Sequence, residues 1–194
     1  MQIVNVEQNS PEWYQARLGI PTASSFGKIL TPTGKPSTQC DVYANELLAE
    51  IAVDGPVEGW KGNQWSERGH ELEEEAAQAY QLIKGGDVQD VGFCKSDDGT
   101  MGCSPDRLIN DDGLLEIKCP KASTHIGYLL KNTMVTTYIP QAQGQLLITG
   151  RKWCDFFSYY PDMSPLIIRV QRDEIYLTQL SGALNKFKTL LEEK

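Results

Sequence analysis

No apolar run in the chain approaches the ~18 residues that a membrane-spanning helix needs, which argues against an integral membrane protein. Met1 to Ser10 lack a basic stretch followed by an apolar one, so no export signal is read there. The five cysteines (Cys40, Cys94, Cys103, Cys119 and Cys154) are scattered, and none stands in a C-x-x-C pair. That disfavours zinc or a dithiol redox site and leaves free thiols in a reducing cytoplasm as the expectation. Repeats and low-complexity tracts are missing too. Cations are the scarcer charge: 18 Lys and Arg against 26 Asp and Glu give a net charge of -8. Phosphate binding usually needs a basic footprint, so this balance taken alone argues against a nucleic-acid binder. It does not forbid one, because an enzyme that gathers cations at carboxylates can be acidic around a local basic groove.

What is present is ordinary for a soluble globular protein: 194 residues, 40% hydrophobic and 23% charged. We read residues 1–194 as one domain, long enough to bury a core. Ser10-Pro11-Glu12 predicts an N-cap and a short helix to about Leu18. Thr22 is placed to cap a second helix through Leu30. Further helices are predicted over Gln39–Ala52, over Gln64–Lys84 ending at Gly85-Gly86, over Ala122–Lys131 and over Ile139–Thr149. Strands are predicted over Val88–Lys95, Thr100–Cys103, Arg107–Ile109, Leu114–Cys119, Trp153–Tyr160 and Leu166–Gln171. Asp173–Glu193 reads as an amphipathic helix presenting Ile175, Leu177, Leu180, Leu184, Phe187, Leu190 and Leu191. The order implies an α/β (α+β) fold, a mixed sheet flanked by helices.

The most informative stretch is Ser104-Pro105-Asp106, nine residues, then Glu116-Ile117-Lys118. Glu116 and Lys118 are two apart on a strand and share a face. The turn at Asp111-Asp112-Gly113 folds the chain back, so Asp106 sits beside Glu116. Two carboxylates crowded together repel, and a divalent cation relieves that. Oxygen-only ligands favour Mg²⁺ or Mn²⁺, and a neighbouring lysine orients or deprotonates water. This is equipment for metal-assisted phosphodiester hydrolysis. A solvated charged hairpin would look similar, but Leu114-Leu115-Glu116-Ile117-Lys118-Cys119-Pro120 embeds the charges in an apolar run.

Pro105-Asp106 with Glu116-x-Lys118 resembles the PD-(D/E)XK nuclease signature. More of the chain is similar to the phage lambda exonuclease or YqaJ-type viral recombinase family. The matching blocks are Trp13-x-x-x-Arg17-x-Gly19 with Thr22-Ala23-Ser24; Gly69-x-x-x-Glu73; Cys103-Ser104-Pro105-Asp106; Leu115 to Pro120; and Gln141-x-Gln143 before Trp153-Cys154-Asp155-Phe156. The resemblance implies a restriction-endonuclease-like fold and a 5′-to-3′ exonuclease. Such an enzyme processively degrades one strand of linear double-stranded DNA, giving 5′-mononucleotides and a 3′ overhang. It further implies a homotrimeric ring around DNA, a phage single-strand annealing protein as partner, two Mg²⁺ ions and a bacterial cytoplasm. Asp106 would bind both metals, Glu116 and the Ile117 carbonyl would complete one site, and Lys118 would position the water. Glu73 would help hold metal-bound waters. Arg17, Ser24 and Ser104 would grip the 5′ phosphate, and Gln141 rather than Gln143 would contact the centre.

Helix geometry tests Glu73 in part. Leu72, Ala76, Ala79, Tyr80 and Ile83 define one face, with Glu73 and Glu75 on its borders and Glu74 nearly opposite. Geometry leaves Glu73 and Glu75 open, and the motif match favours Glu73. Ser24 lies near a predicted helix start, which favours anions. The family's arginine after the E-x-K-C-P block is replaced by Lys121 and His125, both expected at the surface. Trp60-Lys61-Gly62-Asn63 is a candidate DNA-end wedge or subunit contact. Three other readings are an endonuclease of the same group, a Cas4-like iron–sulfur nuclease, which the cysteine spacing disfavours, and a non-catalytic DNA-end or annealing-protein binding module.

Overall fold

The computed structural model describes the backbone of residues 1–57 and 64–194 and the side chains of residues 1–57 and 71–194. The Trp60–Asn63 connector and the Trp65 side chain lie outside the described residues. Strand β1 (Gln2–Val4) was not expected, because three residues carry no readable alternation. Helix α1 (Pro11–Arg17) starts as its sequence dictates: the Ser10 hydroxyl accepts the Trp13 N–H at 3.2 Å, and Pro11 occupies the first turn. The predicted helix after Thr22 is instead a 3₁₀ helix, Ala23–Lys28, without a side-chain cap. The Thr22 hydroxyl accepts from Arg17 and faces Ser24.

Helices α2 (Cys40–Val53) and α3 (Gln64–Lys84) follow. The expected strand Val88–Lys95 is two strands, β2 (Val88–Gln89) and β3 (Phe93–Lys95), in different sheets. Gly92 allows the break. A Cβ there would stand 2.4 Å from the Val6 carbonyl, so the N-terminal segment crosses the chain at its one bare Cα. β4 (Gly102–Cys103) completes a three-stranded sheet, β1-β3-β4.

The second sheet positions the chemistry. β5 (Arg107–Ile109) and β6 (Gly113–Lys118) form an antiparallel hairpin. α4 (Ala122–Lys131), a short 3₁₀ turn (Thr136–Tyr138) and α5 (Ile139–Thr149) carry the chain to β7 (Trp153–Ser158). β7 lies parallel to β6, a pairing that requires such a crossover. β8 (Leu166–Gln171) is antiparallel to β7, giving the order β2-β5-β6-β7-β8. α6 (Glu174–Glu193) is capped by Asp173, which accepts from the Ile175 and Tyr176 N–H groups.

Alternation along β6 and its neighbours divides the core in two. Ile109, Leu115, Ile117 and Phe157 pack on Ala76, Ala77 and Tyr80 of α3. Leu108, Leu114 and Cys154 face the other way, toward Ala142 and Leu146 of α5 and Leu180, Leu184 and Phe187 of α6. Two predicted face residues are corrected: Ile175 is 76% exposed and Ile83 is 53% exposed. At ~100° per residue, Ile175 falls nearly opposite the Leu180–Leu184–Phe187 face.

One polar contact crosses the apolar α3 side. Asp155 on β7 is fully buried; it accepts two bonds of 2.8 Å from Arg169 and one of 2.7 Å from the Tyr80 hydroxyl. Arg169 also stacks on Trp153 at 3.6 Å and is 45% exposed. Removing a buried charge's partner is costlier than removing the charge itself. Arg169→Ala is therefore expected to destabilise the protein by about 3–5 kcal/mol in urea unfolding, and Asp155→Ala by less, because Arg169 reaches water.

Candidate active site

Asp106 sits one residue before β5, where the ladder with β6 ends at Arg107↔Leu115. Its carboxylate accepts the Ile117 N–H at 2.5 Å, finishing the ladder with a side chain. On the opposite edge of β6, the Tyr159 N–H bonds the Lys118 carbonyl. Ile117, one residue back, therefore turns its N–H and its carbonyl toward Asp106, since both groups of a strand residue point to one edge.

Glu116 is 2% exposed, and its charge is fully engaged. Lys118 pairs with Oε1, Gln141 donates to Oε1 at 2.5 Å and Gln145 donates to Oε2 at 2.6 Å. The Lys118 ammonium also lies 5.4 Å over the Tyr138 ring. Burial raises the Asp106 pKa well above the usual carboxylate range, and the nearby Glu116 and Glu73 charges add to it. For Lys118, burial alone would lower the pKa, but Glu116 and Asp106 outweigh it, so the ammonium is held charged.

The structure separates the two border glutamates of α3. Glu73 receives Arg107 at 3.0 Å and lies within electrostatic reach of Asp106. Glu75 accepts the Tyr159 hydroxyl at 2.5 Å. Gln143 is occupied elsewhere: it donates to the Gln171 carbonyl and accepts the Asp173 N–H. Gln145 was missed, although it follows Gln141 by one helical turn and so shares its face.

Arg17, Ser24 and Ser104 line one pocket of about 180 Å³ together with Trp13, Thr22, Gln141 and Gln145. Trp13 organises it. Its indole N–H donates to the Ser104 hydroxyl at 2.8 Å, and its ring carries the Arg17 guanidinium at 4.1 Å. Arg17 donates to Thr22 at 3.2 Å, and the Thr22 and Ser24 hydroxyls are 3.2 Å apart. Burial lowers the Arg17 pKa, yet a guanidinium remains charged. The six-residue 3₁₀ helix offers Ser24 little macrodipole, contrary to the expectation of a helix start; hydroxyls and the guanidinium supply the polarity. Gly144 sets the spacing. A Cβ there would meet Phe26 at 2.4 Å, so its absence lets the 3₁₀ helix press onto α5.

His125, expected at the surface, is fully buried. Its Nε2 lies 3.0 Å from the Ser164 carbonyl and its Nδ1 lies 2.8 Å from the Ser158 hydroxyl. A carbonyl only accepts, so Nε2 donates to Ser164. Lys121 alone of that pair is exposed.

Among the described residues, no three acidic, His or Cys side chains form a ready cage. The oxygen set fits a hard cation nonetheless, because Mg²⁺ is usually held by one or two carboxylates and keeps several waters. Asp106, Glu116 and the Ile117 carbonyl would be its protein ligands.

The mixed sheet with its flanking helices matches the fold of PD-(D/E)XK-like phage exonucleases. The chain belongs to the YqaJ-like viral recombinase domain family, whose model matches residues 12–152. It is similar to an alkaline exonuclease (LHK-Exo) from Laribacter hongkongensis, 34% identical over 95% of this chain and 93% of that one, with a TM-score of 0.85. LHK-Exo in complex with dAMP gives 33% identity, the same coverage and a TM-score of 0.86. A phage-related exonuclease from Haemophilus somnus 129PT shares the fold at 14% identity, 90% and 94% coverage and a TM-score of 0.71. No curated protein matches significantly.

A carboxyl group whose folded pKa is raised favours the fold fully below about pH 4, where an unfolded aspartate titrates. That contribution is lost as pH rises through the raised value. Asp106→Asn keeps an oxygen for the Ile117 N–H but no charge. In EDTA it is expected to melt above wild type at pH 7.5 and to lose that advantage near pH 4. A thermal melt at both pH values checks this; no gain at pH 7.5 would mean that the fold does not disfavour a charged Asp106.

Proposed function

We propose that the protein is a metal-dependent exodeoxyribonuclease that degrades one strand of linear double-stranded DNA from its 5′ end. The observation that carries this reading is one continuous site. Asp106, Glu116 and Lys118 are joined through Gln141 and Gln145 to the pocket of Arg17, Ser24 and Ser104. A divalent cation, Mg²⁺ or Mn²⁺, at Asp106, Glu116 and the Ile117 carbonyl would supply Lewis-acid stabilisation and a more acidic water; the family resemblance favours two ions.

The chain's own groups do the rest. Gln141 and Gln145 hold the Glu116 carboxylate through neutral donors, so Lys118 is the cation a bound metal ion would have to compete with for its charge. Lys118, kept protonated by the two acids, orients the attacking water against the scissile phosphate. Arg17 forks onto the terminal 5′ phosphate while Ser24 and Ser104 donate hydroxyl bonds to it. Fixing that phosphate sets the scissile bond one nucleotide inward and yields 5′-mononucleotides. The dAMP bound to LHK-Exo is a product-like ligand of that kind. A 3′ overhang would then pass to a phage single-strand annealing protein in a bacterial cytoplasm. A homotrimeric ring would hold an acidic subunit on a polyanion by enclosure. Among the described residues no helix is long and apolar enough to cross a membrane.

A time course on duplex DNA labelled at one end, with Mg²⁺ and then EDTA, tests activity, polarity and metal need together. A covalently closed circle should stay intact; its cleavage would favour an endonuclease. Lys118→Ala is expected to lower kcat by about 10²–10⁴-fold while DNA binding stays near wild type in a gel-shift assay. Arg17→Ala is expected to reduce kcat/KM about 10–100-fold on 5′-phosphorylated ends and far less on 5′-hydroxyl ends. Equal losses on both ends would remove the phosphate-grip assignment.

A further inference from the structure

Resting on the nuclease reading, we propose that Arg107, the residue directly after Asp106, is a positioning residue of the centre. Its guanidinium ties the Glu73 carboxylate of α3 to the main-chain carbonyl of Asp106 and so holds that acid at the cation site. The side chain is only 11% exposed, and each of its nitrogens is used. Nη1 donates to both Glu73 at 3.0 Å and the Asp106 carbonyl at 2.6 Å. Nη2 donates to Glu74 at 2.9 Å, and Nε lies 2.9 Å from Asp90.

The three acids are not equivalent. Glu74 and Asp90 are 67% and 88% exposed, so water screens them, whereas Glu73 is 26% exposed and feels Asp106. Like charge pushes Glu73 away from Asp106, and the shared Nη1 opposes that push. A salt bridge that merely fastened α3 to β5 would not need the Asp106 carbonyl. The bond to that carbonyl makes the place of one acid depend on the backbone of the other. Lysine has one compact ammonium and cannot span both acceptors and the outer acids in this fork.

Titration calorimetry with Mn²⁺ on the full chain tests this without relying on turnover. Arg107→Gln and Glu73→Gln are each expected to weaken Mn²⁺ binding about 10-fold, the scale of losing a group that orients metal ligands. The double variant should be no weaker than the worse single, because both remove one contact. Wild-type affinity in Arg107→Gln, or losses that multiply in the double variant, would overturn the assignment. If Arg107→Gln does not fold by circular dichroism, Arg107→Lys decides. It should weaken Mn²⁺ binding several-fold and lower kcat with KM for DNA unchanged; unchanged affinity and kcat would overturn it. A wild-type protein that binds no Mn²⁺ would remove the nuclease reading itself, a different result from a failure confined to Arg107.

Discussion

The site depends on a strand that stops one residue early. β5 ends its pairing at Arg107, and the Asp106 carboxylate takes the next place by accepting the Ile117 N–H. A buried backbone donor without a partner costs free energy comparable to a lost hydrogen bond, so the side chain is drawn into the ladder. The same contact brings an acid beside Glu116, which β6 has already turned toward α5. Hairpin register, a satisfied N–H and carboxylate crowding are thus one arrangement, and the crowding is what a divalent cation would relieve.

Where one periodicity governed a segment, the sequence was legible. Arg107–Ile109, Ala122–Lys131, Ile139–Thr149 and Leu166–Gln171 have the expected bounds, because caps, turns and alternation agree there. β1 and the split between β2 and β3 were not legible, since both depend on a long-range crossing at Gly92. Thr22 misled for a related reason: a hydroxyl that caps by local rules is diverted by an arginine five residues earlier. His125 looked like a surface residue because its partners, Ser158 and Ser164, are over thirty residues away.

The site divides along the same line. Glu116 and Lys118 on one strand face, with Asp106 across a short hairpin, follow from local geometry. The different surroundings of Glu73 and Glu75 do not, because both border one helix face and their partners, Arg107 and Tyr159, arrive from other elements. The Trp13 indole N–H sets the Ser104 hydroxyl from 91 residues away, a contact no local pattern announces. Gln145 is the one omission the sequence could have supplied, from its spacing after Gln141.

An acidic protein that acts on a polyanion must sort its charges over short distances. Here the buried Glu116 is met by two neutral amides and one cation, Gln141, Gln145 and Lys118, and the partly exposed Glu73 by Arg107. Arg17 lies on the Trp13 ring and donates to the Thr22 hydroxyl, with Glu50 within electrostatic reach. Gln141 and Gln145 line the pocket that holds Arg17 and bond Glu116 at once, so neutral amides stand between the acidic and the basic side chains. A net charge of -8 is therefore compatible with phosphate chemistry, because burial strengthens local interactions that solvent and salt would screen at the surface.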